Sequence, residues 1–151
     1  MNKIVRTSVL AALCGWLVVS AAGAAEYEVQ MLAKDAHGRF AQFEPAFLQV
    51  EPGDTVTFIA SEAMDNAQSI PQLIPEGTEN WTGELGANVT VTFDTEGLYV
   101  YKCLHHVGRG MIGLIQVGDV AQELDQDVVS ALPEKAQSRL EVLLSEAGAN
   151  N

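Results

Sequence analysis

"FLQVEPGDTVTFIA", Phe47 to Ala60, consists of two short runs hinged at Glu51-Pro52-Gly53-Asp54. In the second run Val56 and Phe58 fall on one face and Thr55 and Thr57 on the other, the period of two expected of a half-buried strand. Proline presets the backbone for a turn, glycine accepts a positive φ, and aspartate can bond its own backbone, so the hinge predicts a tight reversal between two strands. The same grammar recurs outward along the chain. "EYEVQML" alternates Tyr27, Val29 and Met31 against Glu26, Glu28 and Gln30. "NVTVTFDTEGLYVYKC" places Val89, Val91 and Phe93 on one side, turns at Asp94 to Gly97, and runs on as a strand to Cys103. "MIGLIQVGD" supplies the last strand. About six to eight short strands with regular turns predict an all-β sandwich.

After Asp119 the texture becomes helical. "VAQELDQDVVSAL" and "PEKAQSRLEVLLSEAG" read as two helices, the second opened by Pro133 and closed by Gly148. Ala136, Leu140, Leu143 and Leu144 recur at helical spacing and form a stripe that would pack on the sandwich. At the other end, Lys3 and Arg6 precede the apolar run Val9 to Val19, and "AAGAAE" follows at 21–26. That order is the pattern of a secretory signal peptide cut near Ala24, and the apolar run is shorter than the roughly 20 residues that span a bilayer. The sequence thus divides into a signal peptide at 1–24, a sandwich at 25–119 and C-terminal helices at 120–151 packed on the same domain.

A chain of 151 residues suffices for one domain with a hydrophobic core. Its formal net charge of −12 argues against nucleic acid or an anionic membrane as partner. Cleavage would remove Lys3 and Arg6 and make it more acidic still. It would also remove Cys14, leaving Cys103 as a lone thiol that must be buried or bound.

Cys103 opens the stretch "CLHHVGRGM", which ends at Met111. A loop between two strands can bring a thiol, an imidazole and a thioether to one point, and these are donors of a blue-copper electron-transfer centre. Neighbouring side chains in an extended loop point oppositely, so only one of His105 and His106 can face the metal. The two-residue gap from Cys103 lets the loop turn back at His106, which leaves His105 on the surface. No orienting residue marks a Cys–His catalytic pair, and a mononuclear site closed by methionine leaves little room for substrate, so the sequence does not read as an enzyme.

Through "FEPAFLQVEPGDTVTFI", "IPEGTE", "YVYKCLHHVGRGMIGLIQVGD" and "LDQDVVSA" the chain resembles the pseudoazurins, small periplasmic cupredoxins of the blue-copper class. The resemblance implies a Greek-key cupredoxin β-sandwich with two C-terminal α-helices and one copper ion per chain. It also implies a monomer in the periplasm that carries single electrons between redox proteins such as copper nitrite reductase. Residue by residue, the family's cysteine, second histidine and methionine ligands fall on Cys103, His106 and Met111.

The departure is at the first ligand. Where the family has Gly-His-Asn, this chain reads Met64-Asp65-Asn66. An aspartate oxygen lies as many bonds from Cβ as the histidine Nδ1, so Asp65 can occupy the vacated ligand position. A carboxylate is harder and anionic, should favour Cu(II) over Cu(I), and also suits Zn²⁺. The alternative is a decayed site in which Asp65 turns to solvent and the scaffold serves as a non-redox metal-binding or interaction protein. His37, in "KDAHGRF", is expected to be a solvated loop residue. Where family members surround the exposed histidine with lysines, only Lys102 and Arg109 stand near the loop in sequence, and the acidic balance points to a redox partner with a basic docking face.

Overall fold

The computed structural model describes residues 23–34 and 37–149. The predicted signal peptide lies, but for Gly23 and Ala24, outside the described residues. Among the described residues, eight strands form two four-stranded sheets. The first sheet runs in the order β2 (Phe40–Glu44), β1 (Glu26–Lys34), β4 (Asp54–Ala60), β6 (Val89–Phe93). The second runs β3 (Phe47–Val50), β8 (Ile112–Val117), β7 (Gly97–Lys102), β5 (Gln68–Ser69). This is the expected Greek-key sandwich. Strand β1 pairs parallel with β4 and β3 parallel with β8, while the other pairings are antiparallel.

The hinge at residues 51–54 does not make a hairpin. It carries the chain from one sheet to the other, as does the turn between β6 and β7. Asp54 holds the crossing: one carboxylate oxygen accepts the Glu51 amide at 2.8 Å and the other the Ala25 amide at 2.7 Å. The Gly53 amide, at φ 95°, donates to the Phe93 carbonyl at 2.8 Å and ties the two crossings together.

Alternation holds where one face of a sheet is wet. Val56 and Phe58 are fully buried, while Thr55 and Thr57 pair outward with Thr92 and Thr90 through hydroxyl bonds of 3.0 Å. It is lost in β8, which is buried at all six residues. Helix α2 (Glu134–Ala149) covers its outer face with Ala136, Leu140, Leu143 and Ala147, so both faces of β8 are dry. Each fully buried side chain of Leu or Phe size contributes roughly 1.5–3 kcal/mol.

The helical readings need trimming. Helix α1 spans only Gln126–Ser130, because Asp125 caps it by accepting the amides of Asp127 and Val128. The preceding residues stay irregular, and the Gln122 side chain there accepts the Leu98 amide at 2.9 Å, satisfying a strand donor rather than a helix. Pro133 sits just before α2 and its carbonyl accepts from Ala136 and Gln137, while Gly148 remains inside the helix instead of ending it. No helix among the described residues is long and apolar enough to cross a membrane.

Within the core, Tyr101 packs edge-on against Phe43 and Phe58, with centroids 4.7 and 4.9 Å away. Its hydroxyl has no hydrogen-bond partner, and burial holds the phenol far above its ordinary pKa. Gly113 makes room for this ring, since a Cβ there would lie 2.2 Å from the Tyr101 ring. Gly113→Ala should therefore destabilise the protein by about 2 kcal/mol or more in urea unfolding. Tyr101→Phe, which deletes an unsatisfied buried hydroxyl, should be neutral or stabilising in the same measurement.

Candidate metal centre

The antiparallel pairing of β7 and β8 reaches its last register at Lys102 and Ile112. Cys103 and Met111 are the next residues outward on each strand, and the Cys103 amide donates to the Met111 carbonyl at 3.1 Å. The eight-position span between them is folded tightly on itself. Val107 donates to the Cys103 carbonyl at 3.0 Å, while Arg109 and Met111 both donate to that of His106, at 2.8 and 3.2 Å. Gly110 allows the return with φ 93°, after the 3-10 turn Val107–Arg109. These bonds put the thiol, one imidazole and the methionine at one end of the sandwich, with Cys103 and Met111 fully buried.

Asp65 arrives from the segment between β4 and β5. Strand β5 pairs with β7 at Gln68 and Lys102, which sets the residues just before Gln68 beside Cys103. Asp65 does not turn to solvent: its side chain is 1% exposed, and Oδ1 lies 3.3 Å from His106 Nδ1. That nitrogen is also 3.6 Å from Cys103 Sγ. The donor atoms of Asp65, Cys103 and His106 all lie within 4.8 Å of one another.

The two oxygens of Asp65 are treated differently. Oδ2 accepts the Glu62 amide at 3.1 Å and lies 3.3 Å from the Ser61 hydroxyl, which itself bonds the Met31 carbonyl. Oδ1 is buried without a hydrogen bond although it faces His106. A buried carboxylate oxygen left bare is costly unless a cation meets it. The donors present, a carboxylate oxygen, an imidazole nitrogen and a thiol, with a thioether at the loop's end, fit one copper ion.

His106 faces the cluster while keeping 16% of its side chain exposed, and His105 is exposed, as the alternation of side chains predicted. His37 sits exposed in the turn between β1 and β2 and is not part of the cluster. The sequence alone marks Asn66 only as the residue retained beside Asp65. Its buried side chain joins the two halves of the site: Oδ1 accepts the Leu104 amide at 2.7 Å, and the amide group donates to the Gly83 carbonyl and Gln68 Oε1, both at 3.1 Å. The burial of that side chain exists only in the fold, and no local sequence pattern marks its role.

The family described as copper binding proteins, plastocyanin/azurin family, matches residues 29–118. The chain is 39% identical over 140 residues to the pseudoazurin of Paracoccus pantotrophus, covering 92% of this chain and 96% of that one. It is 41% identical over 132 residues to a putative pseudoazurin of Rhizobium leguminosarum, covering 86% of each. Among solved structures, a Sinorhizobium pseudoazurin superposes with a TM-score of 0.71 at 40% identity, covering 81% of this chain and 95% of that one.

Because Asn66 couples the two loops, Asn66→Ala should leave the Leu104 amide and the Gly83 carbonyl unsatisfied. The expected cost is about 2–3 kcal/mol in chemical unfolding. Loosened spacing between Asp65 and Cys103 should also lower copper affinity about tenfold or more in a competition titration.

Proposed function

From a chain that belongs to the pseudoazurins, within the plastocyanin/azurin family of copper-binding proteins, we propose a single-electron carrier of the periplasm whose copper is held by Cys103, His106, Met111 and, in place of a histidine, Asp65. The observation that carries this reading is the buried, unbonded Asp65 Oδ1 facing the same nitrogen that faces the Cys103 sulfur. Copper supplies a one-electron Cu(II)/Cu(I) couple at such a donor set. The protein's own residues do the rest. The Glu62 amide fixes one carboxylate oxygen so that the other is presented singly, and burial of Cys103 and Met111 excludes water.

The partly exposed edge of His106 is the expected exit for the electron. Exposed Leu104 and Met64 flank it in the two loops that form the site, offering an apolar surface for brief docking. The partner is a periplasmic redox protein; the net charge of −12 steers a basic face toward the chain at long range, whereas Arg109, Lys135 and Arg139 beside the metal loop act against it at contact. The protein transfers electrons rather than transforming a substrate, and it acts as a monomer.

Replacing Asp65 by His restores a neutral nitrogen at the same distance from Cβ. Copper-loaded wild type should absorb strongly in the visible through its thiolate, and Cys103→Ser should lose that band. Asp65→His should keep the band, bind Cu(I) more tightly and show a higher reduction potential than wild type. A colourless Cu(II) complex would remove Cys103 from the ligand set, and one potential shared by wild type and Asp65→His would remove Asp65.

A further inference from the structure

Strand β6 ends one side of the first sheet, and its outer edge has no strand beside it among the described residues. The Thr55 amide donates to the Ala25 carbonyl, on the β1 side, so Thr55 exchanges no backbone bonds with its partner Thr92. By the alternation of a strand the same holds for Thr57 and Thr90. The amide and carbonyl groups of Thr90 and Thr92 therefore point away from β4, and no group among the described residues bonds them. The hydroxyl bonds from both threonines to β4 agree, since side chains approach most closely where the backbone groups do not pair.

Proteins blunt exposed strand edges with charge, proline or a bulge. Val89–Phe93 reads "VTVTF", five residues of high β propensity with neither charge nor proline, and its register with β4 runs unbroken. The edges at β2 and β5 are treated otherwise: Ala41 takes φ 54° within β2, and Gln68 of β5 pairs onward with Thr82. An edge left flat and uncharged is a template for another chain.

Beside the β6 edge runs a groove of about 400 Å³. Strand β6 and the turn after it form one wall, and residues 78–81, tied to β5 by the bond from the Ser69 amide to the Trp81 carbonyl, form the other. Glu79 and Asp94 stand on opposite walls, both exposed and neither with an ion pair among the described residues. Those charges decide the occupant. A second copy of the chain would bring its own Glu79 and Asp94 and a net charge of −12 to the seam, and would be repelled. A basic extended segment would meet both carboxylates while its backbone pairs with Thr90 and Thr92.

We propose that the β6 edge is a docking site for an extended, lysine- or arginine-bearing segment of a partner polypeptide, which joins the first sheet as a fifth strand. Asp65, Cys103, His106 and Met111 do not line the groove, so docking there leaves the metal end free. The inference does not rest on which residues bind copper.

The test is a titration of the Cu(I)-loaded protein with a capped six-residue peptide of alternating lysine and valine, read by NMR hydrogen exchange at Thr90 and Thr92. Saturable binding is expected, with exchange at those two amides slowed about tenfold or more. A peptide of alternating glutamate and valine should bind about tenfold more weakly or worse. The double variant Glu79→Gln, Asp94→Asn should weaken binding of the lysine peptide about threefold or more. Both side chains are exposed, so its urea midpoint should match that of wild type. Absence of binding, equal affinity for the two peptides, or binding that leaves exchange at Thr90 and Thr92 unchanged would overturn the proposal. Slowed exchange at those amides that grows with protein concentration in the absence of peptide would give the edge to a second copy instead, and would overturn it equally.

Discussion

The backbone pairing of β7 with β8 sets the geometry of the metal end. Because Lys102 and Ile112 are the last partners, Cys103 and Met111 must leave the sheet opposite one another, and the chain between them has to close a short loop. Closure folds His106 back over the sulfur. What the pairing cannot do is bring up Asp65, which comes from another part of the chain. Asn66 makes that junction with one short bond to the Leu104 amide, 38 positions away in sequence. Strand β5, only two residues long, gives the same junction its register.

On the proposed ligand set, the substitution at residue 65 changes the charge at the site without disturbing this frame. An imidazole in that place would be neutral, whereas a carboxylate brings a negative charge into a site already containing a thiol that binds copper as thiolate. Two anionic donors neutralise more of the charge on Cu(II) than on Cu(I), so the oxidised state gains most. The surrounding bonds suit such a ligand, since the Glu62 amide holds the oxygen that points away from His106.

The sandwich was legible because β4 and β6 each bury one face and wet the other, which writes a period of two into the sequence. Strand β8 carries no such period, since α2 covers its outer side, and only the turn residues around it revealed a strand. The first helix was overread because "VAQELDQDVVSAL" has helical composition throughout, yet Asp125 starts the helix late and Gln122 is engaged by Leu98. At the site, Cys103, His106 and Met111 were readable from one loop, and Asp65 from its position relative to the "PGDTVTFI" strand. The role of Asn66 and the convergence of Arg39, Arg109, Lys135 and Arg139 were not, because neither leaves a local pattern. Each exists only once distant segments have packed.

Net charge was likewise a poor guide to the neighbourhood of the metal. The chain is acidic as a whole, but four of its cations gather beside the metal loop. The central claim, that a carboxylate stands where the fold would otherwise present an imidazole, is tested most directly by pulsed electron spin resonance of the Cu(II)-loaded wild-type protein. That measurement counts coordinated imidazoles through their remote nitrogens. The account predicts one imidazole, from His106; two would mean that His37 or His105 completes the site and that Asp65 is not a ligand.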